Sequence, residues 1–170
     1  GFYEASHNQK VSLINWQVSQ IALIGGDIAR KSLSSSDSKS QAFFRHATRI
    51  TNYQNPNDSA LKASNVKRLG TQPRVGRGGL PNDAPENIVN VNVGEYWSGL
   101  DPKKSEASGN WSHSWHFGDA LFAKDLYETI KGDIDRHAIP TRAMENGELV
   151  LRAPRKSSSS KAKKKASKAH

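Results

Sequence analysis

The stretch SQIALIGGDIA, residues 19–29, decides the class of fold. Its centre, IALI, is apolar without alternation, and Gly25 and Gly26 close it. A strand with one wet face alternates polar and apolar residues; a strand covered on both faces does not. The run therefore predicts a strand inside a parallel sheet. Two further segments read as strands: TRITNYQ (48–54), rich in β-branched and aromatic residues, and NIVNVNV (87–93).

Helical segments lie between them. After the serine-rich link KSLSSSDSKS (31–40), the residues SKSQAFFRHA (38–47) predict a short helix. Asn55, Pro56 and Asn57 form a turn, and Asp58 or Ser59 can cap a helix over ALKASNVKRL (60–69). GTQPRVGRGGLPNDAPEN (70–87) and GEYWSGLDPKKSEASG (94–109) read as loops. In DALFAKDLYETIKGD (119–133), Phe122, Leu126 and Ile130 recur four apart, which predicts a helix that buries that face. GELVLRA (147–153) fits a short extra strand, and FYEASHNQKVSLINW (2–16) the end of a helix and a connector. Strands alternating with helices predict an α/β fold: a three-layer sandwich of parallel strands and flanking helices, one unit over residues 1–151. Three parallel strands are few, and the first leaves an open apolar edge unless an upstream segment pairs with it.

The chain has 170 residues and a formal charge of +9. Eight of those charges (Arg152, Arg155, Lys156, Lys161, Lys163, Lys164, Lys165 and Lys168) fall in residues 152–170, which contain no acid, so residues 1–151 carry a net +1. A Lys/Ser/Ala-rich segment without large apolar residues cannot build a core, and it is expected to be a disordered basic tail. Any attraction to nucleic acid or another polyanion belongs to this tail, through release of phosphate counterions. The plainer reading is a solubilising terminus. The absence of cysteine excludes disulfides, thiolate catalysis and cysteine–zinc sites and fits several compartments, the cytoplasm among them. No run of about 18 apolar residues exists to span a membrane. The sequence opens on Gly1 and its single methionine is Met144, which reads as a fragment or a processed product.

Ligands of open parallel sheets bind beyond the carboxyl ends of the strands. Asp27 follows the first strand, Asp58 the second, and His113 the third after a longer loop. A carboxylate and an imidazole on neighbouring strand ends can meet. The carboxylate then fixes the tautomer, and the other ring nitrogen serves as a general base. Either aspartate can supply the carboxylate.

The segments IALIGGDI (21–28), RITNYQNPNDSAL (49–61), PRVGRGGLP (73–81), NIVNVNV (87–93) and SHSWHFGD (112–119) together resemble the carboxyl-terminal half of an α/β-hydrolase. More narrowly, they resemble a lipase/esterase-like family of mostly unassigned substrate, over about residues 18–132. The resemblance implies that Asp58 is the triad acid and His113 the triad base, in the family's order of serine, acid, histidine. Asp27 is the alternative acid. It also implies an ester-like small-molecule acyl substrate and calls for no cofactor and no metal. The family's Gly-x-Ser-x-Gly elbow is nowhere in these 170 residues. The nucleophile is expected upstream, and the chain holds the acid–base half of the triad. A degenerate remnant, acting as a non-catalytic binding protein with a basic tail, is the alternative.

Other readings compete residue by residue. Asp58 can be no more than a helix cap. His116 is expected to pack or to line a pocket. Trp97, Trp111 and Trp115 can line an apolar acyl pocket or simply cover core. His113, His116 and Asp119 have donor types that suit zinc. GRGGLP (76–81) offers backbone amides to a phosphate but lacks the lysine of a phosphate loop and reads as a surface loop.

Overall fold

The structure, a computed structural model, describes residues 2–8, 16–67, 72–104 and 109–153. The basic tail from residue 154 onward lies outside the described residues, as does the connector at 9–15.

All three expected strands are present: β1 (Val18–Ile24), β2 (Ala47–Gln54) and β3 (Ile88–Asn92). They pair in parallel and in sequence order. Two more strands complete the sheet, β4 (Arg142–Glu145) and β5 (Glu148–Leu151), giving the order β1-β2-β3-β5-β4. β5 is parallel to β3 and fills the place of the expected extra strand. β4, absent from the sequence reading, runs antiparallel to β5 as the outer edge. Asn146 (φ 50°) and Gly147 (φ 80°) join the two. Two successive positive φ values give a hairpin turn whose twist matches that of its strands, and Asn-Gly is its preferred dipeptide.

A short helix, α1 (Phe2–His7), opens the chain, and α2 (Gln41–Arg45) precedes β2. Helix α3 (Ser59–Lys67) follows β2, and the glycine-rich loop contains the single turn α4 (Val75–Gly78). Turn α5 (Gly94–Ser98) follows β3, and turn α6 (Trp111–Ser114) carries His113. The long α7 (Ala120–Lys131) starts with Asp119, whose carboxylate accepts the Phe122 N–H, and ends at Gly132 in a left-handed conformation.

The two-residue period of the strands sorts the core into two layers. On one face Tyr53, Val91, Leu149 and Leu151 pack with Trp115 and Phe122. On the other, Ile50 and Ile88 pack with Leu33, Phe44, Ala47 and Val75. Further along that second face the sheet is polar: Asn52 donates to the Val75 carbonyl and to Asn90, Asn90 donates to Gln54, and Gln54 to the Arg77 carbonyl.

Helix α7 differs from its expected orientation. Its buried residues are Phe122, Asp125 and Thr129, and Ile130 is 50 % exposed. The reason is an ion pair. Arg142 of β4 reaches Asp125 at 2.7 Å with neither side chain exposed. Tyr53 and Thr141 add hydroxyl donors to the same carboxylate at 2.7 and 2.6 Å. A buried carboxylate needs such partners, and they turn the helix so that Asp125 faces inward. Burial, then the Asp125 charge, pushes the Tyr53 phenol well above its ordinary value.

Candidate functional site

Because β1, β2 and β3 are parallel, the loops after them emerge along one edge of the sheet. The turn after β2 begins with Asn55, whose carbonyl accepts the Asp58 N–H at 3.0 Å. That turn is stitched to the histidine loop. The Asn55 side chain donates to the Ser112 carbonyl at 2.9 Å, and the Ser59 N–H donates to the Ser112 hydroxyl at 2.9 Å. The Ser112 hydroxyl in turn donates to Asn110 at 2.7 Å. The sequence marks Asn55 only as a turn former and assigns Ser112 no role, since the ties they make exist only when residues 55–59 meet residues 110–113.

These ties bring Asp58 and His113 together. Asp58 Oδ2 lies 2.7 Å from His113 Nδ1, across 55 positions of chain. The other oxygen, Oδ1, accepts the Leu61 N–H at 2.8 Å. The helix-cap reading and the histidine-partner reading of Asp58 thus describe the two oxygens of one carboxylate. Asp58 is buried, whereas the His113 side chain is 39 % exposed. Among the described residues no hydrogen-bond partner takes His113 Nε2. A buried acceptor on one nitrogen and an open second nitrogen suit proton transfer to a bound molecule.

Asp27 is not brought to the histidine. Its carboxylate lies 3.1 Å from Arg74 Nε and accepts the Ser64 hydroxyl at 3.0 Å. It ties the end of β1 to α3 and to the segment before α4.

His116 shares with Asp58 and His113 the lining of a small interior gap, together with Trp115. Its ring packs on Phe117, Phe122 and Trp115 at centroid distances of 4.2, 5.4 and 6.1 Å. Burial among these rings holds its proton affinity below the ordinary histidine value, and the neighbouring His113 lowers it further. Asp119 accepts the Tyr96 hydroxyl at 3.0 Å and caps α7, so it is spent on structure rather than gathered with the two histidines. No group of three or more possible metal ligands occurs among the described residues.

Trp111 and Trp115 line a cavity of about 330 Å³ with Leu100, Lys104 and Asp119. Trp115 also lines the gap at the histidines, so the two spaces share this residue. Trp97 lies behind Trp111, ring centroids 6.4 Å apart, and packs against the core rather than lining the cavity. In GRGGLP, the amide of Gly76 donates to the Gly26 carbonyl and that of Gly79 to the Val75 carbonyl, which takes both out of use for a phosphate.

No helix among the described residues is long and apolar enough to cross a membrane. Comparison with protein families, with curated proteins and with solved structures finds no match.

Proposed function

We propose that Asp58 and His113 are the acid and base of a serine-hydrolase triad of the α/β-hydrolase type. The substrate is an ester-like acyl compound, and the nucleophilic serine comes from sequence outside residues 1–170. The observation that carries this reading is the buried Asp58 carboxylate at 2.7 Å from Nδ1 of a part-exposed imidazole, at the edge of a parallel sheet where ligands of such folds bind. With Asp58 on Nδ1, Nε2 is the nitrogen that takes the serine proton as the serine oxygen bonds to the acyl carbon. The buried carboxylate offsets the positive charge that then forms on the ring. Nε2 returns the proton to the departing alkoxide as the ester bond breaks. A water molecule then repeats the sequence on the acyl-serine. The cavity at Trp111 and Trp115 offers two indoles to an acyl group, beside the charged Asp101, Lys104 and Asp119.

The test is labelling with a serine-directed fluorophosphonate. Residues 1–170 alone are expected to stay unlabelled, since no Gly-x-Ser-x-Gly occurs in them. A longer form of the protein that carries a Gly-x-Ser-x-Gly segment is expected to label at one serine. His113→Ala is expected to abolish that label, and Asp58→Asn to slow it about 10⁴-fold if the tautomer is what the carboxylate fixes. A longer protein that neither labels nor hydrolyses an activated ester would sink the reading.

The charge distribution favours a second function beside it: the basic tail contacts nucleic acid or an anionic surface whether or not the fold is catalytic.

A further inference from the structure

Gly25 ends β1 in the left-handed region, at φ +56°. The imidazole of His113 lies directly over it. A Cβ built on Gly25 would stand 2.7 Å from His113 Cε1, 3.2 Å from Nδ1 and 3.5 Å from Nε2. The first distance is far inside carbon–carbon contact, which is optimal at about 3.5–4.0 Å. Any side chain at this position has to displace the ring or the backbone.

Neither wall of the gap can retreat. Across the ring stands Asp58, buried and held by the Leu61 amide. Beneath Gly25 stands Gly76, so close that its own Cβ would meet Gly26 N at 2.4 Å and the Gly25 carbonyl carbon at 2.7 Å. The Gly76 amide donates to the Gly26 carbonyl at 3.0 Å, which fixes that contact. Two backbone segments, residues 25–26 and residue 76, are stacked without side chains between them, and the imidazole lies against the opposite side of Gly25.

We propose that Gly25 is a positioning residue for His113: its bare Cα is the floor that holds the imidazole at hydrogen-bond distance from Asp58. The base whose proton is placed in this way rests on the hydrolase reading above; the contact itself does not. The backbone of residues 25–26 and 76 thus belongs to the site although it offers no reactive group. A larger residue at position 25 lifts the ring, breaks the Nδ1–carboxylate bond and releases the tautomer.

Gly25→Ala tests this against Gly147→Ala. Gly147 has φ +80°, and nothing lies within 4 Å of its would-be Cβ, so that variant reports the cost of positive φ alone. The readout is the His113 Nδ1 proton and the ring-nitrogen shifts in NMR of the folded chain. Gly25→Ala is expected to lose the hydrogen-bonded Nδ1 proton, and Gly147→Ala to keep it. In the longer protein, Gly25→Ala is also expected to slow labelling about 100-fold, as an ångström-scale misplacement does. Retention of the Nδ1 proton in Gly25→Ala would overturn the proposal. Loss of that proton with no labelling in any form would leave the contact standing and remove the hydrolase reading. Should Gly25→Ala fail to fold, the double variant Gly25→Ala/His113→Ala decides: restored folding supports the clash with the ring, and continued failure overturns it.

Discussion

Asp125 of α7 and Arg142 of β4 face each other with no solvent on either side chain, and every oxygen of that carboxylate is engaged. The pair joins the last helix to the antiparallel edge of the sheet and reaches Tyr53 in the strand that leads to Asp58. Breaking a buried pair by removing one partner leaves a charge without compensation. Asp125→Ala or Arg142→Ala is expected to cost about 3–5 kcal/mol in urea unfolding. The double replacement Asp125→Leu/Arg142→Met is expected to cost much less than either. A single variant within about 1 kcal/mol of the parent, well below that range, would contradict it.

Asp58 separates into two functions by substitution. Asparagine keeps an oxygen for the Leu61 N–H but brings no negative charge to Nδ1. Asp58→Asn is therefore expected to change stability little, while Asp58→Ala loses the cap as well, worth about 1 kcal/mol. Thermal unfolding of the two variants, compared with the loss of the His113 Nδ1 proton in both, reads the two oxygens apart. Equal destabilisation by both substitutions would mean that the cap contributes nothing.

His116 predicts a pH dependence with a definite sign. Its proton affinity is lower in the folded chain than in the unfolded one, so at acid pH the unfolded chain binds the extra proton more readily. Above the ordinary histidine value near 6.5 the residue is neutral in both states and costs nothing. As pH falls below about 6.5 toward the depressed folded value, stability is lost. His116→Phe removes this loss, so the variant is expected to gain on the parent as pH falls below the ordinary histidine value. The check is the urea midpoint at each pH. In NMR, His113→Ala is expected to raise the His116 titration, since His113 is one cause of its depression.

Seven of the eight tail charges lie beyond residue 153. Deleting residues 154–170 is expected to leave the melting temperature nearly unchanged and to abolish most retention on heparin. A truncated chain that still binds DNA with a steep salt dependence would move the polyanion site into the fold.

What the sequence discloses is what short segments carry by themselves. The IALI run names β1, the β-branched run names β2, and the polar residues at the strand ends leave Asp27 and Asp58 as candidate partners of His113, of which the hydrolase resemblance picks Asp58. What it conceals is non-local. Asp125 shares the inner face of its helix with Phe122, whereas Ile130 of the apolar stripe is exposed, and only Arg142, 17 positions away, explains why a carboxylate is inside. Gly25 reads as a strand terminator until the imidazole is seen above it. The Asn146–Gly147 turn was a legible hairpin signal, but the four residues of β4 contain too few apolar side chains to announce a strand.

The amide ladder on the far face of the sheet has a consequence for the distance at the site. Asn52, Asn90 and Gln54 interlock only when β2 and β3 stand in their present register, where Asn52 is level with Asn90. A slip by one residue would throw every side chain of β2 to the opposite face and carry Asp58 along by about 3.3 Å. That is more than the whole length of its bond to His113. The ladder therefore works as a detent: three carboxamides on the reverse side of the sheet admit a single notch, and in that notch alone the carboxylate and the imidazole come within reach.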